Sequence, residues 1–280
     1  VRFIHRGPWS DTVEARSLSG DVSAVKVAEA GGELAPGVER WAEAATSVAA
    51  ALTHPCILTY RSVDVADGWL SAERAYVEGV DVGTAVSTVG NASIEVAAAV
   101  SRRVAEAALA AHAAGLVAGR LSPSHVLVGR DGTTHVLSVA LPEVTAFAHR
   151  IEGRQADREV AYAPPERFAG GVADARADAF GVASVFLLLA SGRPVIPQGH
   201  RLARVLARRG ATLLGEGTPA PVSDPRLAEL IGAAMSADPL QRPDLASLVS
   251  ALAARAAEEG EVAGFARAVV GEAALGAGRE

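Results

Sequence analysis

The sequence predicts an α+β protein in two parts: a small, mostly antiparallel β part with one main helix, followed by a larger, mainly α part. Three observations predict it. Strand-like alternation and turn signals dominate as far as Val77, and helical periodicity takes over from Asp81. One short hairpin, "HVLVGRDGTTHVLSVA", interrupts the helical part. At 280 residues, the chain has the length for two small domains or one domain of two lobes.

The elements follow in order. "TVEARSL" and "VSAVKVAEA" alternate around the turn "SGD" and read as a hairpin. After the glycine-containing "GGELAPG", "VERWAEAATSVAAAL" has helical spacing and stops at "THPCIL", where Pro55 breaks it. "ILTYRSVDV" and "GWLSAERAYV" read as strands around the Asp67-Gly68 turn. In "SIEVAAAVSRRVAEAALAAHAAG", Val96, Val100, Val104 and Ala108 fall on one helical face. Arg102 and Glu106 stand at ion-pair spacing on another, and Gly115 serves as a C-terminal cap. "DARADAFGVASVFLLLAS", "HRLARVLARRG", "DPRLAELIGAAMS" and "RPDLASLVSALAARAAEEG" read as helices, and the final "EVAGFARAVVGEAALGAGRE" as a further helix or a tail.

Composition narrows the function classes. Half the residues are hydrophobic but only 4% are aromatic, so the core is built from small aliphatic side chains whose layers approach closely. A formal charge of -6 argues against a general nucleic-acid binder. The single cysteine, Cys56, has no partner for an internal disulfide and reads as a small buried hydrophobe. The longest apolar run, "AFGVASVFLLLASG", is too short to cross a bilayer and reads as a buried helix. No secretory signal is expected, and a start at Val1 fits an excised or trimmed domain.

Five pieces of sequence stand in a distinctive order. They are "AVKV" at 24–27, "LTHPCIL" at 52–58, "YVEGVDV" at 76–82, "AHAAGLV" with "LSPSHVLV" within 111–128, and "YAPPERF" with "DARADAFGVASVFLLLASGRP", followed by "DPLQRPD". In this order and spacing the chain resembles the bacterial Ser/Thr protein kinase type over about Val13 to Leu252. The resemblance implies a bilobal protein kinase-like fold: an N-lobe at 1–78, a C-lobe at 79–258, and a C-terminal helical extension or tail at 259–280.

It also implies where phosphotransfer chemistry would sit, and those positions are altered. The family's phosphate-binding lysine corresponds to Lys26, and its helix glutamate to Ala45, with Glu43 two residues away. Counted back from Val13, the glycines of the phosphate loop correspond to Arg6, Pro8 and Asp11, none of which offers the bare backbone that approaches phosphate. The acid that orients the substrate hydroxyl corresponds to Arg120, the phosphate-contacting lysine to Ser122, the metal-binding amide to His125, and the metal-binding aspartate to Ser138. A missing base alone costs roughly 10²–10⁴ in rate, and Mg²⁺ prefers anionic oxygens to a hydroxyl or an imidazole. His125 and His135 without a third ligand do not make a transition-metal site. Thr145 and Tyr162 are the hydroxyl residues of the activation-loop segment, and the arginine that would receive a phosphate there corresponds to Gly119.

The frame positions match instead. Glu166 and Arg242 correspond to an ion pair that maintains the fold, and Asp178 to the aspartate that caps the catalytic loop. The expected function is therefore a degenerate kinase-like domain, a pseudokinase. It would act as a protein-interaction or regulatory module with no catalytic residues, no metal and no cofactor. Lys26 is either a vestigial nucleotide contact or a strand lysine whose stem packs on the sheet. Arg201, Arg204, Arg208 and Arg209 cluster in "HRLARVLARRG" and form either a docking face for an acidic protein partner or linked domain, or a solvated helix face. The alternatives are a metal-independent nucleotide-binding sensor in the same cleft and, with least support, an enzyme of unorthodox phosphotransfer chemistry. Weak or no ATP binding, no nucleic acid, no membrane span and a cytoplasmic setting, alone or as part of a larger protein, complete the expectation.

Overall fold

A computed structural model of the chain describes residues 2–6, 10–31, 35–119, 121–141, 162–168, 174–193 and 222–276. Pro8, Trp9, Arg120, Thr145, Arg201, Arg204, Arg208 and Arg209 lie outside them. The architecture is α+β, with an antiparallel sheet and several helices, and is compatible with a kinase-like fold.

The first sheet contains β1 (Arg2–Arg6), β2 (Asp11–Arg16), β3 (Val22–Glu29), β4 (Tyr60–Ala66) and β5 (Trp69–Ala75) in the order β1-β2-β3-β5-β4, every pair antiparallel. β1 was not expected from the sequence. Phe3 and Ile4 are adjacent apolar residues and the register shifts between Phe3 and His5, so the alternation that marks a strand is broken at that point. "ILTYRSVDV" is also divided. Ile57 forms an isolated bridge with Val136, Leu58 N–H donates to Val136 O at 3.1 Å, and only from Tyr60 does the chain join the first sheet. The cause is the turn at "THPC", where Ile57 N–H donates to His54 O at 3.0 Å and His54 Nδ1 accepts from Cys56 N–H at 3.2 Å.

Helix α1 (Ala35–Ala51) packs on β4 and β5 through Val38, Trp41, Ala45 and Val48, a stripe at helical spacing. Next comes a second antiparallel sheet of β6 (Gly79–Asp81), β7 (Val126–Gly129) and β8 (Thr134–Val136). Asp81 caps α2 (Val82–Val89), its carboxylate accepting from Thr84 N–H at 2.9 Å. Helix α3 (Ile94–Ala113) is lined by buried alanines and valines, and packs on α5 (Ala175–Ser191) and α7 (Leu245–Ala253). Every residue of α5 from Ala177 to Ala190 is buried. Phe180 and Phe186, both 0% exposed, each contribute roughly 1.5–3 kcal/mol on burial. The single turn α4 (Pro165–Phe168), helix α6 (Pro225–Ala234) and the C-terminal α8 (Glu259–Gly276) complete the described elements. Cys56 is buried, and burial pushes its thiol pKa up. Among the described residues, no helix is long and apolar enough to cross a membrane.

Candidate functional site

The site begins with strand register. Lys26 of β3 pairs with Thr12 and Ala72, while Ala24 pairs with Glu14 and Arg74. Cross-strand partners share a face, so Thr12, Glu14, Ala24, Lys26 and Arg74 all lie on one face, with Leu70 and Ala72. Val13 pairs with Val25 and lies on the opposite face. Counting the phosphate-loop positions from Val13 therefore starts one residue out of phase with Lys26.

Lys26 Nζ donates to Ser10 Oγ at 2.9 Å and stands 5.6 Å from the centre of the Trp41 ring. A cation over an indole is attractive, by roughly 0.5–2 kcal/mol according to its desolvation. Trp41 in turn meets Tyr60 edge-to-face, with centroids 5.1 Å apart at 71°. Tyr60 accepts a hydrogen bond from Arg74, yet burial dominates and pushes its phenol pKa up to about 12. Arg74, 7% exposed, also donates to Ala75 O at 3.2 Å. Lysine, indole, phenol and guanidinium thus form a continuous row between the sheet and α1. Ala45, matched to the family's helix glutamate, is 1% exposed. Glu43 is exposed, on a different side of α1.

Below this row, a narrow crevice with room for about one water molecule is lined by Ala45, Val48, Tyr60, Ser138, Val139 and Leu141, among others. Ser138 and Ala140 both have φ of 57°, a left-handed backbone that non-glycine residues adopt at a cost of roughly 1–2 kcal/mol each. The tight turn buries Val139, at 2% exposure, and is tied down by Ala140 N–H donating to Ala118 O at 3.0 Å. Its neighbour Leu137 donates its N–H to His125 O at 2.7 Å. Ser122 Oγ lies 3.0 Å from Ser124 Oγ and 3.3 Å from His125 Nδ1, so Ser122 and His125 are brought together. His135 is separate from them: its Nδ1 is 3.1 Å from Pro55 O, and burial is the main cause of its lowered pKa. Among the described residues, no group of three or more His, Cys, Asp or Glu could hold a metal ion.

Asp178, 1% exposed near the start of α5, anchors the loop that precedes these residues. Its Oδ2 accepts from Ala118 N–H at 2.9 Å and its Oδ1 from Gly119 N–H at 2.7 Å. His112 Nε2, from the last turn of α3, lies 2.8 Å from Oδ2. Gly181, one turn along α5, allows the same loop to close in: a Cβ there would stand 2.6 Å from Leu121 Cβ. Arg242 and Glu166 form a bidentate pair with both contacts at 2.7 Å. Arg242 also donates to Arg176 O at 3.2 Å and Ser236 O at 3.0 Å, and stands 5.2 Å from the centre of the Phe180 ring.

Sequence reasoning missed His112, Arg74, Tyr60 and Trp41. One signal was available for Arg74. Strand parity places it with Leu70 and Ala72, which marks it as inward-facing.

Comparison with known proteins adds a direction. No family model matches the chain. It is 25% identical over 194 residues to the serine/threonine-protein kinase PknH of Mycobacterium tuberculosis and of Mycobacterium bovis, covering 69% of this chain and 31–33% of those proteins. It is 24% identical over 202 residues to PknE of the same organisms, covering 72% of this chain and 36% of those proteins. The similarity is to Ser/Thr protein kinases. It supports a protein kinase-like family for this chain, which spans about a third of the length of these curated relatives.

Proposed function

We propose that the chain is a bilobal, catalytically inactive kinase-like domain, with an N-lobe at 1–78 and a C-lobe at 79–258, that works as a protein-interaction or regulatory module. One observation carries the reading. The described residues that line the crevice between α1 and the Ser138 turn are all neutral and include no carboxylate. Phosphoryl transfer relies on metal ions to neutralise developing charge, and Mg²⁺ is held through anionic oxygens. Ser122, His125 and Ser138 supply none.

Glu166, Asp178 and Arg242 are assigned the maintenance of the fold. Arg201, Arg204, Arg208 and Arg209 are assigned the docking of an acidic protein partner or linked domain, in a cytoplasmic setting. The test is a phosphotransfer assay with labelled ATP and Mg²⁺, comparing the chain with Lys26→Ala. No labelling above that of Lys26→Ala is expected. Robust Mg²⁺-dependent labelling lost in Lys26→Ala would overturn the reading.

A second reading, a metal-independent nucleotide sensor, draws on the two cations Lys26 and Arg74 sharing one sheet face. It predicts a rise in Tm with ATP that persists in excess EDTA and is lost in Lys26→Ala. No rise in Tm with ATP would remove it.

A further inference from the structure

The C-terminal helix α8 packs against α2, α3, β6 and β7, the elements that follow or pair with the segment 76–82 joining the two sheets. Its inward stripe is Val262, Ala263, Ala266 and Val269, each 3% exposed or less, at the spacing of one helical face. The segment before it is pinned where Ala257 N–H donates to Glu95 O at 2.9 Å, and Arg103 reaches Glu259 at 3.5 Å.

The turn between β7 and β8 meets the connecting segment on one side and α8 on the other. Arg130 holds Glu78 through its backbone, N–H to O at 2.8 Å, and through its side chain, Nη1 to Oε1 at 2.7 Å. Two residues later, Gly132 has φ of +93°, and a Cβ there would collide with the Glu259 carbonyl and stand 3.1 Å from Ala263 N. The backbones of the turn and of α8 are therefore in direct contact. A shift of the helix cannot be absorbed by side chains alone.

We propose that α8 is a strap that fixes the connecting segment 76–82 through the 129–132 turn, so that displacing the helix loosens that segment while the α3–α5 core stays closed. A partner or linked domain that pulled on α8 would thereby act on the junction between the two sheets. The inference concerns mechanics alone and does not depend on whether the cleft has lost phosphotransfer.

Amide hydrogen exchange on the full chain tests it, comparing wild type with Ala266→Glu, which drives a carboxylate into the docked face. The expected result is loss of protection in α8, together with exchange at least about tenfold faster at 76–82 and 126–129. The amides of α5 and those of Ala118 and Gly119 should keep their wild-type rates. If α8 exchanges freely while 76–82 keeps its protection, the strap is overturned. If Ala266→Glu does not fold, Val262→Ala gives a graded version of the same comparison. Uniform acceleration across the whole chain, α5 included, would also overturn the proposal, because α8 would then be one more core helix. The phosphotransfer assay reads none of these rates, so either idea can fail without the other.

Discussion

Arg242 and Arg74 are buried alike, at 6% and 7% exposure, yet their surroundings differ. Arg242 meets a carboxylate with two short contacts, two carbonyls and an aromatic face. Arg74 has a phenol and one carbonyl, and no carboxylate contacts it among the described residues. Burying a charge is costly unless it is paired. The difference therefore separates a buried guanidinium whose charge is compensated, at the α4–α5–α7 junction, from one that meets only neutral groups among the described residues, Arg74 of β5. The first has the character of a frame.

The largest effect should come from breaking the closed pair. Arg242→Met is expected to lower unfolding free energy by roughly 3–5 kcal/mol, because Glu166 and two carbonyls lose their donor. Urea denaturation measures it, and a loss below about 1 kcal/mol would show that the junction is not a frame. Asp178→Ala should follow at roughly 2–3 kcal/mol, since two backbone N–H groups lose a charged acceptor. The double variant Tyr60→Phe with Arg74→Met should lie within about 1 kcal/mol of wild type, as replacing both partners by apolar groups of similar shape is close to neutral. A loss near that of Arg242→Met would erase the contrast between the two arginines.

A pH titration sharpens the same comparison. Tyr60 ordinarily titrates near 10.0, and burial in the fold pushes it up to about 12. Above pH 10 the unfolded chain sheds this proton while the folded chain keeps it, so folding has to retain a proton that the solution is removing. The stability linked to Tyr60 is complete below pH 10 and falls away as the pH rises toward about 12. Tyr60→Phe should flatten that part of the stability curve. An unchanged alkaline slope in Tyr60→Phe would place the titration elsewhere. The smallest effect is expected at the left-handed turn, where Ser138→Gly relieves backbone strain but adds unfolded-state entropy, for a net gain below about 1 kcal/mol. A measurable loss there would mean that the hydroxyl makes a contact of its own.

Much of the architecture was legible in local pattern. Alternation marked β2, β3, β4 and β5, helical spacing marked α1, α3, α5, α6 and α7, and the turn at "GRDG" marked the β7–β8 hairpin, because each depends on side-chain periodicity within a few residues. β1 was not legible, since its bulge puts adjacent apolar residues out of phase. The site was legible only in part. The resemblance singled out Lys26, Ser122, His125, Ser138, Glu166, Asp178 and Arg242 as candidates and anticipated the Glu166–Arg242 pair and the loop contacts of Asp178, but not the other groups around them.

By itself, the sequence determined the order of the elements and the small-residue helices that let α3 and α5 pack closely. Tertiary structure alone decided that His112 meets Asp178 across 66 residues, and that Trp41 and Tyr60 fill the space between Lys26 and Arg74. The physical reason is range. Periodicity reports which way a side chain faces on its own element, whereas compensation of a buried charge depends on partners that only the packing of distant elements brings within a few ångströms.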